Sequence, residues 1–205
     1  MGNFHYDVLI VGAGVAGISC ALVLGSALEK PYALNRKVGI LLHHRNSHLN
    51  SALLNNAFGI APGTNGKELL EKSILHLEKL YPDVELIPKE KAKEILALSK
   101  GFQLTTNKNV YTSERIVIAT GYTSPMRIKG LEEYVVPHKK AKAEKKRIQL
   151  QNVDHLVTKG LYVAGTLAGW RSQYSIAAGS GAAVATDILT EWNNGEHSKI
   201  HDKLA

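Results

Sequence analysis

Residues 7–17, Asp-Val-Leu-Ile-Val-Gly-Ala-Gly-Val-Ala-Gly, run from an apolar stretch straight into glycines spaced Gly12-x-Gly14-x-x-Gly17. Few local patterns restrict a chain so strongly. Gly12 permits a tight turn out of a strand, and Gly14 lets the backbone approach a pyrophosphate. Gly17 allows the next helix to pack closely on the sheet. The helix start at Val15 and Ala16 then offers free N–H groups and the positive end of the helix dipole to phosphate. The spacing alone is a weak signal, but here a strand precedes it and a helix follows, which is the context it requires. The segment reads as a strand, a phosphate-binding turn and a helix, built for a dinucleotide.

The remaining pattern is α/β. The first helix covers Val15 to Leu28 and stops near Lys30-Pro31, because proline cannot continue it. Val38 to Leu42 is a second apolar strand. An Asn- and Gly-rich loop, Asn55 to Gly66, precedes an amphipathic helix over Lys67 to Tyr81, with Leu69, Leu70, Ile74, Leu77 and Leu80 at helical spacing. Val84 to Ile87 is a short strand. Glu94 to Leu98, Phe102 to Thr106 and Val110 to Ser113 read as a meander, with turns at Lys100-Gly101 and Asn107-Lys108-Asn109. Ile116 to Gly121 is a buried parallel strand ending in small residues. Residues 122–159 are polar, basic and without clear period. Leu161 to Gly165 is a last strand, and Ser175 to Trp192 a closing helix. This alternation points to a parallel sheet covered by helices.

Bulk properties narrow the possibilities. A chain of 205 residues with 44% hydrophobic content suits a single domain, taken here as 1–205. The apolar run from Val8 to Leu28 is broken by glycines and preceded by Asp7, so it reads neither as a signal peptide nor as a membrane span. The expected setting is cytoplasmic, without a membrane. The lone Cys20 excludes an internal disulfide and an intrachain Cys-x-x-Cys pair. Much of the net charge of +7 sits in Lys139, Lys140, Lys142, Lys145, Lys146 and Arg147, relieved by Glu144. No aromatic residues interleave with that run to stack on bases, so no nucleic-acid partner is expected. His44 and His48 have a metal-ligand spacing but no further ligands near them in sequence, and no metal site is expected.

Several separated motifs, in order, resemble the FAD domain of the thioredoxin-reductase-like pyridine nucleotide-disulfide oxidoreductases. They are Gly12-x-Gly14-x-x-Gly17, the Asn55 loop with Phe58-Gly59, the meander, Ala119-Thr120-Gly121, Gly160-Leu161-Tyr162-Val163-Ala164-Gly165, and Ala177-Ala178-Gly179-Ser180-Gly181-Ala182. The resemblance implies a Rossmann-like FAD/NAD(P)-binding parallel sheet with helices and a β-meander crossover. It implies FAD as cofactor, with Gly12, Gly14, Val15, Ala16 and Gly17 at the pyrophosphate. By the same resemblance the Asn55 loop and the Ala119-Thr120-Gly121 turn lie beside the cofactor, and Gly165 and Thr166 lie at its ribityl-phosphate end. The closing helix, starting at Gln173, Tyr174 and Ser175, would point at the isoalloxazine ring. A helix N-terminus there favours the negative charge of a reduced ring.

The chain departs from that family in three places. Residues 122–159 stand where the disulfide reductases insert a complete NADPH domain, and so short a stretch cannot form one. The dithiol is missing with it, so disulfide-reductase chemistry by the chain alone is excluded. At the end of the second strand, where FAD sites usually place Glu or Asp on the ribose hydroxyls, the chain has His43, His44 and Arg45. A neutral imidazole still accepts one hydrogen bond, yet basic groups there also suit the 2′-phosphate of NADP. Thr166 replaces the aspartate of the family's Gly-Asp pair. The expected function is therefore FAD-dependent oxidoreduction, with electrons from a small-molecule or protein donor or acceptor and with homodimerisation covering the flavin side. The alternative is an NADP(H)-binding or non-catalytic redox-sensing module. Gln173 and Tyr174 are the candidate catalytic residues at the ring. Trp170 and Arg171 are candidates for ring stacking and anion binding, and His138 and His155 for acid–base roles without fixed geometry.

Overall fold

The structure, a computed structural model, describes residues 4–43, 47–122, 125–198 and 200. Strand β1 (Phe4–Val11) is central. It pairs in parallel with β2 (Val38–Leu42), with Val8 opposite Val38 and Val11 opposite Leu41. On its other side it pairs in parallel with β8 (Val110–Ile118), Val11 opposite Ile118. With β5 (Val84–Pro88), β11 (Leu156–Thr158) and β12 (Leu161–Val163) the sheet runs β11-β12-β8-β1-β2-β5. The hairpin β6 (Ala92–Ala97) and β7 (Phe102–Thr106) joins it through β8.

Alternation along β1 divides the core into two layers. Val8 and Ile10 face helices α1 (Val15–Gly25), α2 (Gly66–Leu80) and α3 (Tyr174–Trp192). Tyr6, Leu9 and Val11 face the opposite side, where Ile128, Leu131, Ile148 and Leu150 cover them. The stretch expected to be aperiodic thus supplies the second layer. It contains the antiparallel pair β9 (Val135–Pro137) and β10 (Ile148–Leu150) as well as β11, but no βαβ unit among the described residues.

Two element boundaries differ from expectation. The first helix ends at Gly25 instead of Leu28, because the hydrogen bonds tighten: Ala27 N–H donates to Leu24 and Leu28 N–H to Gly25, three residues back. Val110 to Ser113 and the strand from Ile116 form one continuous strand, β8. The polar Ser113-Glu114-Arg115 in its middle looks like a break, yet it stays paired with β1. Its charges are neutralised laterally, Glu114 by Lys100 at 3.0 Å and Arg115 by Glu191 at 2.8 Å. Two further short strands, β3 (Leu53–Leu54) and β4 (Thr64–Asn65), close the Asn55 loop into a hairpin. No described helix is long and apolar enough to cross a membrane.

Candidate functional site

The C-terminal ends of β1 and β8 and the start of α1 meet in the Gly12 turn. Gly12 has φ +111°, and a Cβ there would lie 2.7 Å from the Ala119 carbonyl oxygen. Gly17 is closer still: its Cβ would lie 1.8 Å from the Gly12 carbonyl oxygen, so the helix starts directly over the turn. Gly181 on α3 makes the matching approach, 1.9 Å from the Ala16 carbonyl oxygen. Between these contacts a Cβ at Gly14 would meet no atom within 4 Å beyond its own neighbours in the chain. It faces a cavity of about 880 Å³, within the usual size range for a cofactor site.

The cavity unites residues distant in sequence. Gly12, Gly14, Val15, Ala16, His43, Ala119, Thr120, Gly121, Gly165, Thr166, Gln173 and Tyr174 line it. Gly165 (φ +73°) donates its N–H to Ser180 Oγ at 2.7 Å, and Thr166 Oγ1 lies 3.9 Å from where a Gly121 Cβ would stand. Three expected contributors are placed otherwise. Gly17 is buried in the turn packing. Asn55 Oδ1 accepts from Gly63 N–H at 2.8 Å, so its side chain closes the β3–β4 loop. Ser175 is exposed in the first turn of α3 and does not line the cavity. His44 and Arg45 lie outside the described residues.

Residues that sequence reasoning did not select also line the cavity: His48, Lys67, Glu71, Glu90, Lys91, Met126 and Arg127. Arg127 follows the Ala119-Thr120-Gly121 turn closely, and that proximity was a usable signal. Lys91 carried none, since β5 pairing with β2 brings it there. Glu90 has its carboxylate committed to Thr106 Oγ1 at 2.6 Å, Asn109 Nδ2 at 2.7 Å and Tyr111 OH at 2.9 Å. Burial, reinforced by Glu90, pushes the Tyr111 hydroxyl up to about 12. Lys67, Lys91 and Arg127 outnumber the two lining carboxylates, Glu71 and Glu90, and the cavity suits an anion.

The helix ends confirm that polarity. Asn65 caps α2, accepting from Lys67 N–H at 2.9 Å and Glu68 N–H at 3.3 Å. Gly14 and Gln173, which begin α1 and α3 at the cavity, provide no side-chain cap. Their first N–H groups therefore have no side-chain acceptor. Cys20 is fully buried in α1, and desolvation raises its thiol pKa far above the ordinary value, which removes thiolate chemistry from the site.

Behind the cavity wall, Ser180 Oγ also lies 2.9 Å from His155 Nε2, and Trp170 Nε1 lies 3.1 Å from that same nitrogen. An indole N–H only donates, so His155 Nε2 is the acceptor and the ring is neutral. Trp170 itself does not line the cavity; its ring stacks by His155. Burial lowers the His155 pKa, opposed by the weaker pull of Asp187. The unfolded chain therefore takes a proton first as pH falls below about 6.5, and stability should drop between that value and the lower folded one. His155→Asn, which tolerates the φ of +73° at this position, should flatten that loss. Urea midpoints at acidic and neutral pH measure it; equal acid sensitivity in both proteins would refute the assignment.

No curated protein sequence matches the chain. Solved structures match its fold. A ferredoxin-flavin thioredoxin reductase from Clostridium acetobutylicum is 16% identical, with a TM-score of 0.69 over 94% of this chain and 100% of that one. Thioredoxin reductase from T. acidophilum is 16% identical, with a TM-score of 0.66 over 91% and 98%. The atypical thioredoxin reductase from Desulfovibrio vulgaris Hildenborough is 13% identical, with a TM-score of 0.68 over 92% and 98%. The family model for pyridine nucleotide-disulphide oxidoreductases matches residues 6–172, from β1 through β12 and the turn after it that holds Gly165 and Thr166. On that match over most of its length, the chain belongs to the pyridine nucleotide-disulphide oxidoreductase family.

Proposed function

We propose that the cavity holds FAD and that the protein is a FAD-dependent oxidoreductase supplied with electrons from outside the chain. The observation that carries this reading is the pair of uncapped helix N-termini, α1 at Gly14 and α3 at Gln173, opening on one cavity of about 880 Å³. A dinucleotide has a pyrophosphate for the first and an electron-accepting ring for the second. The residues fit the group: the open space beside Gly14 admits phosphate, and the lining is cationic. Gly12, Gly14, Val15 and Ala16 would hold the pyrophosphate. Thr120, Gly121 and Thr166 would flank the middle of the cofactor, and Gln173 and Tyr174 the ring. Bound flavin supplies two-electron redox chemistry; the chain's own part is to bind it, orient it and stabilise negative charge.

His43 supports a second reading. It stands where a carboxylate would accept from ribose hydroxyls, and with Lys67, Lys91 and Arg127 in the same lining it suits the extra phosphate of NADP(H). Absorption spectroscopy of the purified protein, followed by titration with both cofactors, separates the two. A flavin spectrum and tighter binding of FAD support the first reading; a colourless protein that prefers NADP supports the second.

Gln173→Asp probes the ring end. Asp is a far better N-cap than Gln, so the cofactor-free protein should gain about 1 kcal/mol of stability. The added carboxylate should meanwhile lower the flavin's reduction potential, by about 30 mV for each 1.4 kcal/mol of repulsion. Thermal unfolding and a redox titration measure the two effects, and an unchanged potential would mean that α3 does not address the ring. Cys20→Ala, in contrast, is expected to leave flavin content and any turnover unchanged. Loss of turnover in a folded, flavin-loaded Cys20→Ala protein would overturn that.

A further inference from the structure

The run from Lys139 to Arg147 forms the exposed connection between β9 and β10. Lys139, Lys140, Lys142, Lys145 and Lys146 are all exposed, and among the described residues none has a carboxylate partner. Self-repelling charge gathered on one surface costs stability unless a partner neutralises it. The face also has a centre. The Lys140 and Lys139 ammonium groups lie 4.9 Å and 5.9 Å from the centroid of the Trp170 ring, which remains 39% exposed. A half-exposed tryptophan ringed by cations has the composition of an interface hot spot.

This face is anchored and not a free loop. Lys139 N–H donates to Gln149 Oε1 at 2.8 Å, and Lys140 N–H donates to His138 Nδ1 at 3.2 Å. His138 Nε2 in turn donates to the Thr166 carbonyl at 3.0 Å. Trp170 connects through His155 and Ser180 to the Gly165 N–H. Gly165 and Thr166 line the cavity. Both routes therefore tie the basic face to the same wall of the site.

We propose that the face of Lys139, Lys140, Lys142, Lys145 and Lys146 around Trp170 is the docking surface for an acidic electron-carrier protein. The inference rests on reading the cavity as a flavin site, which makes a carrier the partner that needs to sit against that wall. A field of one sign orients a carrier and raises its rate of encounter. Nucleic acid fits less well, because among the described residues Trp170 is the one exposed aromatic ring beside these lysines and offers no series for base stacking. A lipid surface fits less well, because only Ala141 and Ala143 are apolar between Lys139 and Arg147, which leaves nothing to insert.

The test is calorimetric binding of a purified, negatively charged iron–sulfur ferredoxin to the whole protein, with flavin content read separately by absorption. Affinity should fall at least about tenfold between roughly 0.05 M and 0.3 M salt. It should also fall at least about tenfold in Lys139→Glu/Lys140→Glu and in Trp170→Ala, with flavin content unchanged. Lys139→Arg/Lys140→Arg should bind as wild type. No binding at low salt, or full binding by the charge-reversed protein, would overturn the proposal. So would tighter binding of a single-stranded oligonucleotide or phosphatidylglycerol vesicles than of the ferredoxin. Protein without flavin that still binds ferredoxin through these lysines would sink the cofactor reading and leave the docking surface standing.

Discussion

Gly14→Val should fold as the wild type does and be purified without flavin. The expectation follows from what a Cβ at Gly14 meets, which is no atom within 4 Å beyond its own neighbours in the chain. A valine there has room in the cofactor-free protein, so the fold bears little of the cost. That same room is where the pyrophosphate would lie against the N–H groups of α1. The added methyl groups would hold the phosphates out of hydrogen-bond range and exclude them from the helix N-terminus. Losing charge-assisted bonds, each worth about 1.5–3 kcal/mol, costs orders of magnitude in affinity. Absorption spectroscopy and thermal unfolding read the two consequences independently. A folded Gly14→Val protein with its full complement of flavin would show that the turn does not bind the pyrophosphate.

Gly17→Ala, only three residues further on, should do the opposite and damage the fold itself. Its Cβ would stand 1.8 Å from the Gly12 carbonyl oxygen, a backbone atom that no rotamer change can move aside. Either α1 lifts off the turn or the turn opens. Lifting α1 also breaks its packing on α3, where Gly181 meets the Ala16 carbonyl oxygen just as closely. Gly181→Ala should therefore destabilise in the same way, and the double variant by less than the sum, because both contacts involve the first turn of α1 and one displacement of that turn serves both. Each single change should cost about 3 kcal/mol or more, beyond ordinary overpacking. Urea unfolding of the three proteins measures this. A Gly17→Ala protein of wild-type stability would contradict the close approach.

The two glycines show how far a local pattern reaches. The spacing Gly12-x-Gly14-x-x-Gly17 was legible because strand, turn and helix are set by residues within one short segment, where sterics decide the backbone. The same holds for Val38–Leu42, Phe102–Thr106 and α2, whose periods are carried by their own residues. Boundaries failed where a neighbour decided them. Ser113-Glu114-Arg115 looks like a polar break, but its pairing to β1 and its lateral ion pairs with Lys100 and Glu191 keep β8 continuous. Residues 126–150 show no period, because their apolar side chains are scattered over turns and short strands. Only the apolar second face of the sheet, with Leu9, Val11 and Ile118, which this segment covers, explains why Ile128, Leu131, Ile148 and Leu150 are apolar.

The site divides along the same line. Gly12, Gly14, Ala119, Thr120, Gly121, Gly165, Thr166 and Gln173 all sit at ends of strands or at the start of a helix, and in a parallel sheet those ends gather on one side. Their convergence is implied once the strands are recognised. The positions of Lys67, Lys91, Arg127 and Glu71 around the same cavity depend on which strands are neighbours and how α2 lies on them. Nothing local encodes that. Likewise, the sequence by itself determined that Lys139 to Arg147 are basic and that Trp170 is aromatic. Only the folding of the β9–β10 pair against the Gly165 turn decided that they form one surface beside the cavity, because contacts such as His138 with Thr166 join residues 28 apart through the tertiary packing.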